Sequence, residues 1–198
     1  LFAQPLLALA ALAAPSLLKR DLQTIQSGIT AVQTSLDNLG TAVDAVSATD
    51  PTTLTKVLSA SQAAQDTIAN TTTSIQGTTA LSLTDALTLQ QSATGLTTSA
   101  NKTVTSLIAK KPVFDQLGVS TVVGQQLVAQ KKGASALGNA IVSKVPAIGQ
   151  SIAQQSIGQI NTVLDQAITA YGATGTAATN TGAGTAKSNS TAPATAAA

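Results

Sequence analysis

From Leu22 to Val46 the large apolar residues recur at alternating intervals of three and four: Leu22, Ile25, Ile29, Val32, Leu36, Leu39, Val43, Val46. This is a heptad seam along about 25 residues, or roughly 37 Å of α-helix at ~1.5 Å rise per residue. A stripe of that length cannot stay in water. It has to pack against other helices or against apolar matter, so it commits the chain to helical packing.

The seam predicts a first helix over Asp21–Ala48, with Asp21 as its N-cap and Asp37 and Asp44 beside the seam, facing solvent. Thr49-Asp50-Pro51 breaks it: Asp50 caps the next helix and Pro51 stands in its first turn, where a missing N–H costs nothing. The second helix is expected over Pro51–Gln76, with Leu54, Val57, Ser61, Ala64, Ile68, Thr71 and Ile75 inward and Gly77 at its end. The third is expected from Ser82 to Lys110, with Asp85 in its first turn, a seam of Ala86, Leu89, Ala93, Leu96, Ala100, Thr103 and Leu107, and Pro112 as its stop. Small residues interrupt both seams. They either let backbones approach closely or leave room for a ligand. After a connector, Pro112–Gly118, a fourth helix is read over Val119–Lys144, with Gly133 and Gly138 as bends. Pro146 separates it from a fifth, Ala147–Tyr171. The fold class is all-α: an antiparallel bundle of about five long helices, crossing near 20°.

Reactive chemistry is nearly missing from this chain of 198 residues. It has no Cys and no His, and Asp is its only acidic residue. That removes disulfides, thiolates, zinc-finger spacings and the commonest general base. No two Asp lie within three positions, so no local calcium loop forms, and no G-x-S-x-G elbow occurs. Neither enzymatic activity nor a cofactor nor a metal is expected. The formal charge of +2 includes Lys19 and Arg20, and the chain beyond them is formally neutral. With 2% aromatic residues and no Arg-rich strip, nucleic acid is not an expected partner. Lys110-Lys111 and Lys131-Lys132 read as solvated faces, or as a Lys holding a lipid carboxylate at a cavity mouth.

Both ends depart from the helical pattern. Residues 1–20 read as a signal peptide and short propeptide: Leu6–Ala14 is an apolar run too short to span a bilayer, Ala11-Leu12-Ala13 fits a small-x-small cleavage site, and Lys19-Arg20 is a dibasic pair. Residues 21–171 form the bundle domain. Residues 172–198 hold Ala, Thr, Gly, Ser and Asn with no large apolar side chain, and are read as a disordered, Ser/Thr-rich tail. Sequons occur at Asn70, Asn101 and Asn189, making these the N-glycosylation candidates.

Lys110-Lys111-Pro112-Val113-Phe114, the later Lys144-Val145-Pro146 and the opening Arg20-Asp21 followed by the heptad seam carry a resemblance. In these motifs and in the order of helices around them, residues 20 to 171 resemble the fungal hydrophobic surface-binding protein A family, which includes cell wall galactomannoproteins. The resemblance implies a secreted, mannosylated helical protein of the cell wall. It would bind hydrophobic surfaces, with a secreted hydrolase as a possible partner there, or hold long-chain fatty acids inside the bundle. It implies no catalytic residue.

Apolar burial and this resemblance together give a binding protein for hydrophobic matter. The candidate lipid-cavity lining is Leu36 from the first helix and Leu58 and Ile68 from the second. Leu96, Leu107, Phe114 and Leu117 follow from the third helix and connector, Leu127, Leu137 and Ile141 from the fourth, and Ile160, Leu164 and Tyr171 from the fifth. Phe114 and Tyr171 either plug a bundle end or line the pocket. A 16-carbon acyl chain would gain on the order of 12 kcal/mol gross at ~0.8 kcal/mol per buried CH₂. The alternatives are a purely structural glycosylated wall protein without ligand, and a coiled-coil partner module.

Overall fold

The computed structural model describes residues 14–173, with side chains from residue 19 on. The leader up to residue 13, the tail from 174 and Asn189 lie outside the described residues. Five helices follow in order: α1 (Ala14–Asp44), α2 (Thr52–Gln76), α3 (Leu83–Gln116), α4 (Ser120–Lys144) and α5 (Ala147–Ala170). Among the described residues there is no strand, and no helix is long and apolar enough to cross a membrane.

The heptad seam of α1 is buried at Ile25, Ile29, Val32, Leu36, Leu39 and Val43, and the burial continues to Val46 in the turn beyond. Its start differs from the expected one. The helix is already formed at Ala14, so Asp21 lies inside it rather than capping it. The Asp21 carboxylate instead accepts hydrogen bonds from the backbone and hydroxyl of Thr79, tying α1 to the connector after α2. At the next start Pro51 stands at the N-cap, one residue later than expected, and Asp50 before it supplies the side-chain acceptor, its Oδ1 taking the Thr52 amide at 3.0 Å. The N-cap of α3 is Ser82. Its hydroxyl accepts from the Asp85 amide while the Asp85 carboxylate takes the Ser82 N–H, a reciprocal capping box.

Pro112 does not stop α3, which continues to Gln116. The proline removes one donor, the one that would reach the carbonyl of Ile108. Both Pro112 and Ile108 are exposed, so water can serve that carbonyl. The helix ends instead at Gly118, whose φ of 69° is the left-handed conformation that glycine adopts without strain. The Val119 amide then reaches back to the Phe114 carbonyl at 3.0 Å, closing the terminus.

Successive helices run in opposite directions, and their spatial order is a ring. α1 packs on α2 and α3, α3 on α5, α5 on α4, and α4 on α2. α3 and α4 barely touch despite their short connection. Three of the ring contacts are therefore parallel. Gln33 and Gly40 of α1 face Gly95 and Thr103 of α3 in the same order. Ala86 and Leu107 of α3 meet Gly149 and Tyr171 at the two ends of α5. Ser61 and Gln76 of α2 meet Gln130 and Lys144 of α4. Five rods at ~9 Å spacing sit about 8 Å from the ring axis, against about 6 Å for four rods. Side chains must fill that extra width, or leave it open.

The two ends of the ring differ. At the end holding the C-termini of α1, α3 and α5, the axis is filled by Leu39, Val43, Val104, Phe114, Leu127, Ile168 and Tyr171. Phe114 and Tyr171 meet with ring centroids 6.2 Å apart and planes at 56°, and the Tyr171 hydroxyl donates to the Leu107 carbonyl at 2.6 Å. At the other end a second cluster, from Ile25 and Ile29 to Leu137 and Ala140, lines the inner faces of α1 to α4. The axis there is open.

Candidate functional site

The opening is a cavity of about 270 Å³. This is nearly twice the ~150 Å³ of a dry, Leu/Ile/Phe-lined cavity that takes up benzene. Its longest wall is α3. Every residue of the small-residue seam, Ala86, Leu89, Ala93, Leu96, Ala100, Thr103 and Leu107, lines it. Three alanines and a threonine on one stripe leave the ring axis unfilled. Ile29, Val32 and Leu36 of α1 face them, with Leu137 and Ile141 of α4 and Ile157, Ile160 and Leu164 of α5. α2 contributes only Ile68. Its small residues do the opposite of those in α3: Ala64 is fully buried, and Thr71 reaches the Gly28 carbonyl across a close α1–α2 contact.

From Ile148 to Leu164 the α5 wall alone runs about 24 Å at ~1.5 Å per residue. Acyl chains filling half of a ~30 Å bilayer core span roughly 15 Å. The inner end is closed at Leu107 and Leu164, where the aromatic plug begins. The outer end opens between the first turns of α3 and α5. Its rim is made of Leu83 (47% exposed), Leu87 (57%), Ile148 (76%) and Ile152 (40%).

No charged residue lines the cavity. Its polar groups are Gln90 and Ser156 towards the mouth and Thr103, Gln130 and Asn161 inside. Thr103 donates to the Leu36 carbonyl at 2.9 Å and is spent on packing α1 to α3. Gln130 is 5% exposed and donates through Nε2 to Ser61 at 3.1 Å. The opposite α2–α4 side of the mouth is tied shut. Lys144 Nζ donates to the carbonyls of Gln76 and Thr78, and the Lys144 carbonyl accepts from the Leu81 amide at 2.7 Å.

Of the candidate lining residues, the structure brings Leu36, Ile68, Leu96, Leu107, Leu137, Ile141, Ile160 and Leu164 to one cavity. Leu58 does not belong with them. It is 46% exposed on the outer face of α2, and its neighbour Val57 takes the inward position that the seam of that helix dictates. Phe114, Leu127 and Tyr171 lie in the filled end, and Leu117 packs half-buried against it. There Tyr171 closes the bundle, and its hydroxyl is engaged by Leu107 rather than offered to a ligand. Burial pushes its phenol well above the ordinary range, with the charge of Asp115 adding to the effect. The Lys pairs stay away from the mouth. Lys110 holds the Val46 carbonyl, Lys111 pairs with Asp115 at 2.6 Å and lies 5.9 Å from the Tyr171 ring centroid, and Lys131 pairs with Asp165. Among the described residues no cluster of acidic side chains could hold a metal. Asn70 and Asn101 are both exposed, on α2 and α3.

The rim residues escaped sequence reasoning because they lie off the main seams. Their signal was a second apolar pair at i, i+4 in each helix, Leu83/Leu87 and Ile148/Ile152.

The family described as hydrophobic surface binding protein A matches residues 22–143, more than half of the chain. The chain belongs to that family. Within this hydrophobic surface binding protein A member, the match takes in the α1 seam and nearly all of α4, and the α5 wall follows it. Cell wall mannoprotein 1 of Aspergillus flavus is 36% identical over 76 residues, and the aligned part covers 38% of this chain and 28% of that relative. The chain thus spans under a third of that protein's length. Among solved structures, AFMP4P in complex with palmitic acid superposes with a TM-score of 0.73 at 22% identity, over 76% of this chain and 99% of that one. Ligand binding domain 1 of the Penicillium marneffei MP1 protein, complexed with arachidonic acids, gives 0.73 at 24% identity over 77% and 99%. At these identities the likeness establishes the shared helical fold.

Proposed function

We propose that the protein takes up a long-chain fatty acid, or a lipid with one such chain, in the cavity between α1, α3, α4 and α5. The observation that carries this is the cavity itself: about 270 Å³ of open space, walled almost wholly by aliphatic side chains. An empty apolar cavity of that volume forgoes on the order of 6 kcal/mol of packing at ~24 cal/mol per Å³. That is comparable with the whole net stability of a domain, ~5–15 kcal/mol. A wall protein that only presented sugars would have no reason to keep it. The palmitic and arachidonic acids held by the structurally similar AFMP4P and MP1 domain support the same occupant. The related cell wall mannoprotein supports secretion to the wall, with glycans at the exposed Asn70 and Asn101. The dibasic Lys19-Arg20 supports release of the bundle at Asp21.

The test is a titration with a fluorescent fatty acid, combined with native mass spectrometry. Saturable uptake with a micromolar or tighter Kd is expected, displaced by palmitate and seen as an added mass. Ala134→Phe, which puts a ring into the inner part of the cavity, should weaken uptake at least tenfold. A wild-type protein that shows neither saturation nor added mass would rule the reading out.

A further inference from the structure

We infer that the mouth of the cavity is itself a docking face for an uncharged lipid surface, so that an acyl chain passes between that surface and the bundle without crossing water. The inference rests on the proposed occupant of the cavity and adds how it arrives. Leu83, Leu87, Ile148 and Ile152 are four of the most exposed large aliphatic side chains in the described chain, and all four surround one opening. They are also continuous with the apolar interior, being its outermost lining. Isolated exposed aliphatics are ordinary, but a cluster around an apolar opening is not.

Charge decides what can cover that cluster. Asp85, between Leu83 and Leu87, is the one charged residue within the rim, and its carboxylate is taken up by the Ser82 amide and hydroxyl in the capping box; beyond it α3 carries no charge until Lys102, and α5 carries none between Lys144 and Asp165. Apart from that capped carboxylate, the two helices that frame the mouth offer a face that can be dehydrated without stripping water from an ion. Lys144, at the edge, is already engaged by two carbonyls of the α2 end. An anionic membrane would find no cation on these stretches to hold it, whereas a neutral interface of acyl chains matches them. Gln90 and Ser156, just inside the rim, let a polar head stay hydrated while its chain slides past Leu87 and Ile152.

The experiment uses phosphatidylcholine vesicles, with and without a fluorescent fatty acid. Wild-type protein should float with ligand-free vesicles, and its rate of fatty-acid uptake should rise linearly with vesicle concentration, the mark of collision. Leu87→Gln with Ile148→Gln should cut the floating fraction about tenfold or more and make uptake independent of vesicle concentration. Leu58→Gln with Val122→Gln, exposed aliphatics (46% and 42%) remote from the mouth, should change neither. Equal losses in both pairs would overturn the inference. So would saturable uptake by a wild-type protein that never floats, a result that leaves the proposed ligand standing. A concentration-dependent dimer abolished by the rim substitutions would also overturn it, in favour of a second copy as occupant. Flotation that depends on the rim, without any fatty-acid uptake, would keep the docking face and remove the ligand.

Discussion

Tyr171 shows how one side chain can set the solid end of this bundle. Its ring packs on Phe114, its hydroxyl donates to a backbone carbonyl, and burial holds the phenol protonated well past its ordinary range. The sign of the pH effect follows. Below pH ~10 the phenol is neutral in both the folded and unfolded states, so its contribution is complete. Above that, the unfolded chain ionises and the folded one resists, so stability falls as pH rises. On the acid side the carboxylates act in the opposite sense. Hydrogen bonds from Thr79, Thr52 and Lys111 with Ser120 hold Asp21, Asp50 and Asp115 below their ordinary value, so their small, exposed contributions are lost below pH ~4. With no His, Cys or Glu side chain to titrate between these limits, the unfolding midpoint in urea should be flat from about pH 5 to 9. Tyr171→Phe should cost about 1 kcal/mol at pH 7 through the lost hydrogen bond. The gap to wild type should narrow as pH passes ~10. A gap that stays constant up to pH 11 would mean the phenol is not shielded.

At the scale of helices, close approach and open space compete, and Gly138 marks the boundary. α4 runs unbroken through it and through Gly133. A Cβ at position 138 would fall 2.7 Å from Ile157 Cγ1 and 3.0 Å from its Cγ2. Both branches of Ile157 would be struck, so turning χ1 cannot relieve the clash. Ile157 must move, and it lines the cavity. Gly138→Ala should therefore destabilise by roughly 0–2 kcal/mol, the helix-propensity gain of ~1 offsetting an overpacking cost of ~1–3. It should weaken fatty-acid uptake as well. Adding Ile157→Ala should restore uptake, and a double-mutant cycle that shows no coupling would contradict the contact. The same competition explains what could be read from the chain beforehand. The α1 seam was legible because every heptad position is large and apolar. The stripe Ala86, Ala93, Ala100 on α3 was legible as a seam but not as a wall. Whether alanines close a contact or leave a void depends on how far away the facing helix stands. In α2 the partner is α1, close enough for Thr71 to reach Gly28, whereas α3 faces the axis of a five-membered ring. The extension of α3 past Pro112 was hidden for a related reason, because it depends on the solvent exposure of Ile108.

For the whole molecule, a ring of five helices with one end plugged and the other hollow is a structure that withholds packing from half its axis. Its stability should depend on whether that half is occupied. Anything that binds the folded state alone adds RT ln(1 + [L]/Kd), about 2.7 kcal/mol at a hundredfold excess over Kd. For a chain of this size each kcal/mol moves Tm by roughly 2–4 °C. Palmitate at that excess should therefore raise Tm by about 5–10 °C in delipidated protein. A substitution that fills the void should do the reverse of an ordinary core mutation. Ala93→Leu adds aliphatic volume on the α3 wall, where the structure has open space rather than a neighbour. It should raise the Tm of the ligand-free protein by a few degrees, at about 1–2 kcal/mol for the added methyl and methylene groups. It should at the same time shrink the palmitate-induced rise. The two effects have one cause, since the space the leucine occupies is the space the acyl chain would use. If Ala93→Leu lowered the ligand-free Tm instead, the wall at that position would already be packed in solution. The hollow half of the ring would then be occupied by its own side chains.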